Sequence, residues 1–228
     1  MNIVSVDLGM GPDPTSVVVI EGKTWEYLGT REIYEPGWTT LQPFFRAPDG
    51  SESEDCPPLV FHLRHLERMP PGSSYGRVVA RVEEISRSLA RPDLVIDATG
   101  VGQAAIELFK AAWLGPTVVT ITAGDEVTEQ WPCFRVPKRD VISTAQVLLQ
   151  TDRLKIARDL PNAQLLLREL QSFRMNVDLK RTSDSLAWRE GANDDLVLAL
   201  AVGLWLGERR PGIPGAISLG RSEMEWPE

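Results

Sequence analysis

The stretch from Pro92 to Thr122 constrains the fold more than any other part of the chain, because it reads strand, glycine turn, helix, strand. Leu94, Val95 and Ile96 make a short apolar run that ends at Asp97. Ala98-Thr99-Gly100-Val101-Gly102 supplies the turn, Gln103 to about Trp113 a helix, and Thr117 to Thr122 the next strand. Two strands joined through a helix lie parallel in one sheet, since the crossover returns the chain to the edge it left. A parallel pair needs cover on both faces, so helices must flank it. The expected class is therefore α/β.

The remaining segments fill out a mixed sheet. Asn2 to Leu8 is an apolar strand ending in Asp7-Leu8-Gly9, Thr15 to Glu21 a second and Trp25 to Ile33 a third; the short turns between them predict an antiparallel meander. Pro36 to Pro58 holds five prolines and the acidic run Ser51 to Asp55, and it reads as a long surface excursion. Leu59 to Leu66 is a further strand. Ser73 or Ser74 caps a helix to about Ala90, and Pro137 opens another that runs to Gln150. Ala123 to Trp131 reads as a polar loop. Asn162 caps a helix over Ala163 to Ser172, and Phe173 to Trp188 alternates in places, as a hairpin around Lys180 to Asp184 would. Asn193 caps a nearly all-apolar helix, Leu196 to Leu206, which must be buried on most sides. The expectation is one mixed α/β domain over 1–210 and a loose tail over 211–228.

Apolar residues make up 43% of the 228 and charged residues 25%, so a disordered chain, a coiled coil and a collagen are excluded. The net charge of −8 argues against coating nucleic acid by bulk attraction, because that affinity comes from cations neutralising phosphates. It leaves room for an acidic active site with a local basic rim. The longest apolar run is too short for a bilayer, the N-terminal residues lack a secretory pattern, and Cys56 and Cys133 sit in no metal-binding spacing. A cytoplasmic protein with no membrane segment is expected.

Three places set aspartate where an apolar element begins or ends. Asp7 closes the first strand, Asp97 closes the strand of the βαβ unit, and Asp194 and Asp195 open the final helix. Singly, each has a structural explanation: turn chemistry, a capping loop, or acids favoured by a helix dipole. If they converge, two charges ~4 Å apart repel by roughly 4 kcal/mol at an effective dielectric near 20. Divalent cations relieve that repulsion, and all-oxygen sites select magnesium or manganese. No Ser/His/Asp grouping competes as a nucleophile. His62 and His65, three apart on a strand, are expected to face opposite sides and to be structural.

From Val4 to about Trp205 the chain resembles the nuclease domain of phage terminase large subunits, a ribonuclease H-like fold. The resemblance rests on several pieces in order: Val6-Asp7-Leu8-Gly9, Arg64-His65-Leu66-Glu67-Arg68 with Tyr75 after it, and Val95 to Gly102. Val136 to Asp140, Gln150 to Ile156, Glu169 to Phe173 and Arg189 to Ala199 follow. It implies endonucleolytic cleavage of double-stranded DNA with two Mg2+ or Mn2+ ions. Asp7, Asp97 and Asp195 match the catalytic, metal-binding positions, with Asp7 bridging and Asp194 auxiliary. It also implies a phage or prophage origin, a site of action in the bacterial cytoplasm, and partnership with an ATPase motor, a small terminase subunit or a portal. The chain departs from the family at Asn193, where histidine is frequent. It carries no Gly-x-x-x-x-Gly-Lys-[Ser/Thr], so it should not hydrolyse ATP or package DNA by itself.

Lys138, Arg139, Lys180, Arg181 and Arg189 are the candidate DNA contacts, each equally readable as a solvated charged face. A junction resolvase like RuvC, a non-catalytic packaging module and an actin- or sugar-kinase-type nucleotide-binding protein are the competing readings. The last needs two copies of the core, and 228 residues hold one.

Overall fold

The structure, a computed structural model, describes residues 1–9, 13–23, 26–35, 38–46, 51–53, 58–179 and 194–209. The strands are β1 (Asn2–Asp7), β2 (Ser16–Lys23), β3 (Glu26–Glu35), β4 (Trp38–Arg46), β5 (Glu52–Ser53), β6 (Val60–Arg68), β7 (Asp93–Asp97), β8 (Thr117–Thr122), β9 (Thr128–Gln130), β10 (Cys133–Pro137) and β11 (Leu154–Ile156). The helices are α1 (Tyr75–Arg87), α2 (Gln103–Ala111), α3 (Lys138–Gln150), α4 (Ala163–Leu179) and α5 (Asp195–Arg209). None of the described helices is long and apolar enough to cross a membrane.

Eight strands form one sheet in the order β11-β6-β2-β1-β7-β8-β10-β9. β1 pairs antiparallel with β2 and parallel with β7, and β8 extends the parallel set. This is the expected mixed sheet, but the third strand of the antiparallel part is β6, not the strand after Lys23. β3, β4 and β5 make a separate three-stranded antiparallel sheet. Much of the span expected as an irregular excursion over 36–58 is therefore strand. Its β-forming residues (Trp38, Thr39, Thr40, Phe44, Phe45) outweigh Pro43, which lies within β4 opposite Thr30. The contacts divide the chain into two compact units, Met1–Lys23 with Leu59–Arg210 and one containing Thr24–Pro58. In the second, Arg31 and Arg46 both pair with Glu52, and the Arg31 guanidinium lies 3.8 Å from the Phe44 ring centre.

The large sheet is buried on both faces, as its parallel strands demand. One face, with Ile3, Val18, Ile20, Val95 and Val119, meets α3, α4 and α5. The other, with Val4, Val6, Val17, Val19 and Ile96, meets α1 and α2. Helix α1 presents Val78, Val79, Val82 and Ile85 to that layer, and Ser74 caps it by accepting the Arg77 N–H. Helix α5 is buried almost all round from Leu196 to Gly207, which explains its lack of a polar stripe.

Other expectations are corrected. The polar loop over 123–131 contains β9, which pairs with β10. Phe173 to Leu179 continues α4, so the alternation there is not a strand; the proposed turn at 180–184, Asn193 and the 211–228 tail lie outside the described residues. Asn162 opens α4 through its carbonyl, which accepts the Leu166 N–H at 2.9 Å, while its side-chain amide donates to the Leu66 carbonyl. His62 and His65 share a face, because a bulge at Arg64 shifts the register: His65 lies opposite Val19 and His62 opposite Glu21, two residues apart on β2.

Candidate functional site

Pairing across the large sheet sets six residues on one rung: Arg68 (β6), Ser16 (β2), Asp7 (β1), Asp97 (β7), Val119 (β8) and Phe134 (β10). Directly paired residues point to one face, here the face of α5. Moving along the rung, a cation, a hydroxyl and two carboxylates give way to apolar side chains. Asp7 and Asp97 are immediate neighbours, on strands ~4.8 Å apart. Both end their strands, so their carboxylates stand at the C-terminal edge of the parallel strands, where α/β sheets bind ligands.

Local chemistry holds each in place. Asp97 is 3% exposed, and its Oδ1 accepts the Thr99 N–H at 2.8 Å and the Thr99 hydroxyl. The same hydroxyl accepts the Ile121 N–H at 2.7 Å, which ties the carboxylate to β8. Gly100, at φ 75°, then turns the chain away. After Asp7, Gly9 lies too close to the Asp13 and Pro14 carbonyls for any Cβ, and its N–H donates to Thr15 Oγ1 at 3.1 Å.

Helix α5 delivers the acidic pair to the same edge. Gly207 lies against Ile3, Gly203 against Ser5, and the Ser5 hydroxyl donates to the Ala199 carbonyl at 2.6 Å. The helix thus runs antiparallel to β1, and its start overlies the end of β1. Two glycines four residues apart permit this close approach. The Leu198 N–H bonds the Asp194 carbonyl at 2.9 Å, so Asp194 is the residue that caps the helix, with Asp195 in its first turn.

Two residues that the sequence reading did not assign complete the cluster. The Nη2 of Arg68 reaches Asp195 Oδ2 at 3.1 Å and also pairs with Glu169 Oε1. Glu169 is 5% exposed, and its second oxygen accepts the Leu196 N–H at 3.1 Å. Its sequence signal was an acid beside Leu166 and Leu170, on the stripe where α4 meets the core. Burial pushes the Glu169 carboxyl up to about 7, against the opposing pull of Arg68 and the Leu196 N–H. Burial also raises Asp194, offset by Lys138. It raises Asp195, where Arg68 opposes the shift and the Asp194 and Asp13 charges add to it.

The candidate cations divide. Lys138 Nζ stands 3.9 Å from Asp194 Oδ2, at the acidic edge. Arg139 is engaged by Asp125 at 2.7 Å and by Asp140 at 3.4 Å. Lys180, Arg181 and Arg189 lie outside the described residues.

The donors here are carboxylate and hydroxyl oxygens, which suit a hard divalent cation. The adjacent Asp7 and Asp97 fit such an ion, since two neighbouring carboxylates at a strand edge repel unless a cation lies between them. Among the described residues no three His, Cys, Asp or Glu side chains close around one point. The three elements bring Asp7, Asp97 and Asp195 to one end of the sheet, but the Asp195 carboxylate is turned onto Arg68.

No family model and no curated protein matches the chain. Among solved structures, the large terminase nuclease from thermophilic phage G20c with bound magnesium shares 19% identity, with a TM-score of 0.54 over 90% of this chain and 80% of that one. The same nuclease with bound zinc gives a TM-score of 0.52 at 19% identity, over 89% of this chain and 79% of that one. The human cytomegalovirus terminase nuclease domain aligns at 12% identity over 90% of this chain and 82% of that one, with a TM-score of 0.45. At such identities the likeness is one of architecture, and the chain has the ribonuclease H-like fold of a large terminase nuclease.

Proposed function

We propose that the protein is a divalent-metal-dependent endonuclease that hydrolyses phosphodiester bonds of double-stranded DNA. The observation that carries this reading is the Asp7–Asp97 pair on one rung, with the start of α5 above the same strand edge. The fold of the phage G20c terminase nuclease, described with bound magnesium and with bound zinc, supports it.

Asp7 and Asp97 would hold one ion, and Asp7 with Asp195 a second, with Asp194 auxiliary. Magnesium or manganese bound there supplies a water of lowered pKa and stabilisation of the leaving oxygen. The chain's own residues set the rest. Thr99 fixes the Asp97 carboxylate, and the β1–β7 register fixes Asp7 beside it. Lys138, paired with Asp194 at the same edge, would meet a phosphate of the bound duplex. The natural setting would be a terminase that cuts concatemeric phage DNA, with an ATPase motor, a small terminase subunit or a portal as partner. The bacterial cytoplasm is where such cutting would take place.

Nicking of supercoiled plasmid tests the reading. Cleavage should require Mg2+ or Mn2+, cease in EDTA, and fall by about 100-fold or more in Asp97→Ala. Cleavage in EDTA, or full activity of Asp97→Ala, would overturn it. A strong preference for four-way junctions over linear duplex would redirect it to a resolvase.

A further inference from the structure

Arg68 and Ser16 are rung partners, and each has a buried polar atom without a hydrogen-bond partner among the described residues: Arg68 Nε and Ser16 Oγ. Orphaned buried groups are uncommon. The Ser16 hydroxyl oxygen can take a cation beside Asp7, whereas the Arg68 Nε–H can only donate to an acceptor and marks a guanidinium whose donors are not all used. The next rung position is Asp7. Above lies Asp195, held by the same Arg68 nitrogen that serves Glu169.

The two carboxylates on that nitrogen are not equally held. Glu169 is locked from behind by the Leu196 N–H at 3.1 Å and is almost wholly buried. The Asp195 side chain is 16% exposed against 4% for Glu169, and Asp195 meets Arg68 through Oδ2 alone. An arginine that grips a carboxylate firmly uses two nitrogens as a fork. Here a single nitrogen serves two carboxylates while Nε goes unused, so Asp195 is the partner that can be released.

Arg68 also sits asymmetrically with respect to the acids. It lies two strands from Asp7 and three from Asp97, but in direct contact with Asp195. Its charge therefore opposes a cation on the Ser16 side of Asp7 far more than one between Asp7 and Asp97.

We propose that Arg68 is a positioning residue that occupies Asp195 until a second divalent ion displaces it, so that the two ions load in order: first between Asp7 and Asp97, then on the Ser16 side of Asp7 with Asp195. This rests on the metal-dependent reading above and adds to it a built-in difference between the two sites. Glu169 retains Arg68 after the exchange, so the guanidinium stays in the fold rather than entering solvent.

The test is Mn2+ binding to the full chain without DNA, by calorimetry and by the electron paramagnetic resonance of free Mn2+, at constant pH and ionic strength. Wild type should bind two ions, the second roughly tenfold or more weakly. Arg68→Gln should tighten the weaker site by about fivefold or more and leave the tighter one within about twofold. Arg68→Lys, which keeps the charge, should retain the weak second site. If melting shows that Arg68→Gln does not fold, the Arg68→Gln/Glu169→Gln variant, with both buried charges removed, carries the same titration. A second site unchanged or loosened by removing the Arg68 charge overturns the proposal. A single ion in wild type also overturns it while leaving the nuclease reading intact. No Mn2+ binding at all defeats the nuclease reading itself.

Discussion

Asp7 and Asp97 face the same side of the sheet as direct register partners on parallel strands, each the last residue of its strand. Nothing in the covalent chain links them; the pairing of β1 with β7 does. Their mutual repulsion is a cost that folding bears until a cation binds. Asp7→Asn should therefore raise the melting temperature in EDTA by a few degrees, about 2–4 °C per kcal/mol for a chain of this size. With Mn2+ present the order should reverse, because wild type gains stability by binding and the variant gains less. Scanning calorimetry in the two buffers checks this; a variant less stable than wild type in both would contradict it.

Gly203 lets α5 approach β1 and β2. A Cβ there would lie 2.7 Å from Ile20 Cδ1 and 2.8 Å from Ser5 Cβ. The isoleucine tip can yield, but Ser5 Cβ is fixed to a central strand. Gly203→Ala gains up to ~1 kcal/mol of helix propensity and loses about 1–3 kcal/mol to overpacking. The net expectation is a lower denaturation midpoint in urea, with weaker nicking because the helix start is pushed off the acidic edge. A stabilised variant of full activity would show that the contact has room.

Glu169 has a pH signature. Its carboxyl is raised from the ordinary 4.5 to about 7. The folded chain therefore holds a proton that the unfolded chain has released between those values. Stability then falls as pH rises from about 4.5 to about 7, by on the order of 2–3 kcal/mol from this group. In EDTA, wild type should lose more stability than Glu169→Gln between pH 5 and pH 7.5, measured by urea denaturation. Equal losses would remove Glu169 as the source.

Lys138 and Arg139 are adjacent in sequence but differ in surroundings. Lys138 pairs with Asp194 at the acidic edge, whereas Arg139 pairs with Asp125 and Asp140. Lys138→Ala should weaken duplex binding for all sequences and lower the salt slope by about one, and Arg139→Ala should change it much less. Fluorescence anisotropy across a salt series measures both. Equal slopes for wild type and Lys138→Ala would take Lys138 out of the interface.

Much of the architecture was legible in the chain because it follows from local rules. The βαβ unit around Asp97, the helix opened by Pro137 and the apolar final helix each announce themselves through periodicity and turn residues. The positions of Asp7, Asp97, Asp194 and Asp195 at the ends of those elements were equally readable. The tertiary structure decided what periodicity does not encode. It chose β6 over β3 as the neighbour of β2, and it turned both histidines to one face through a bulge at Arg64. It also brought Arg68 and Glu169, 101 residues apart, onto each other and onto the start of α5. Strand order and bulges depend on which surfaces fit when distant segments meet. An ion pair between buried residues exists only after the surrounding water has been excluded, so its partners cannot be read from spacing along the chain.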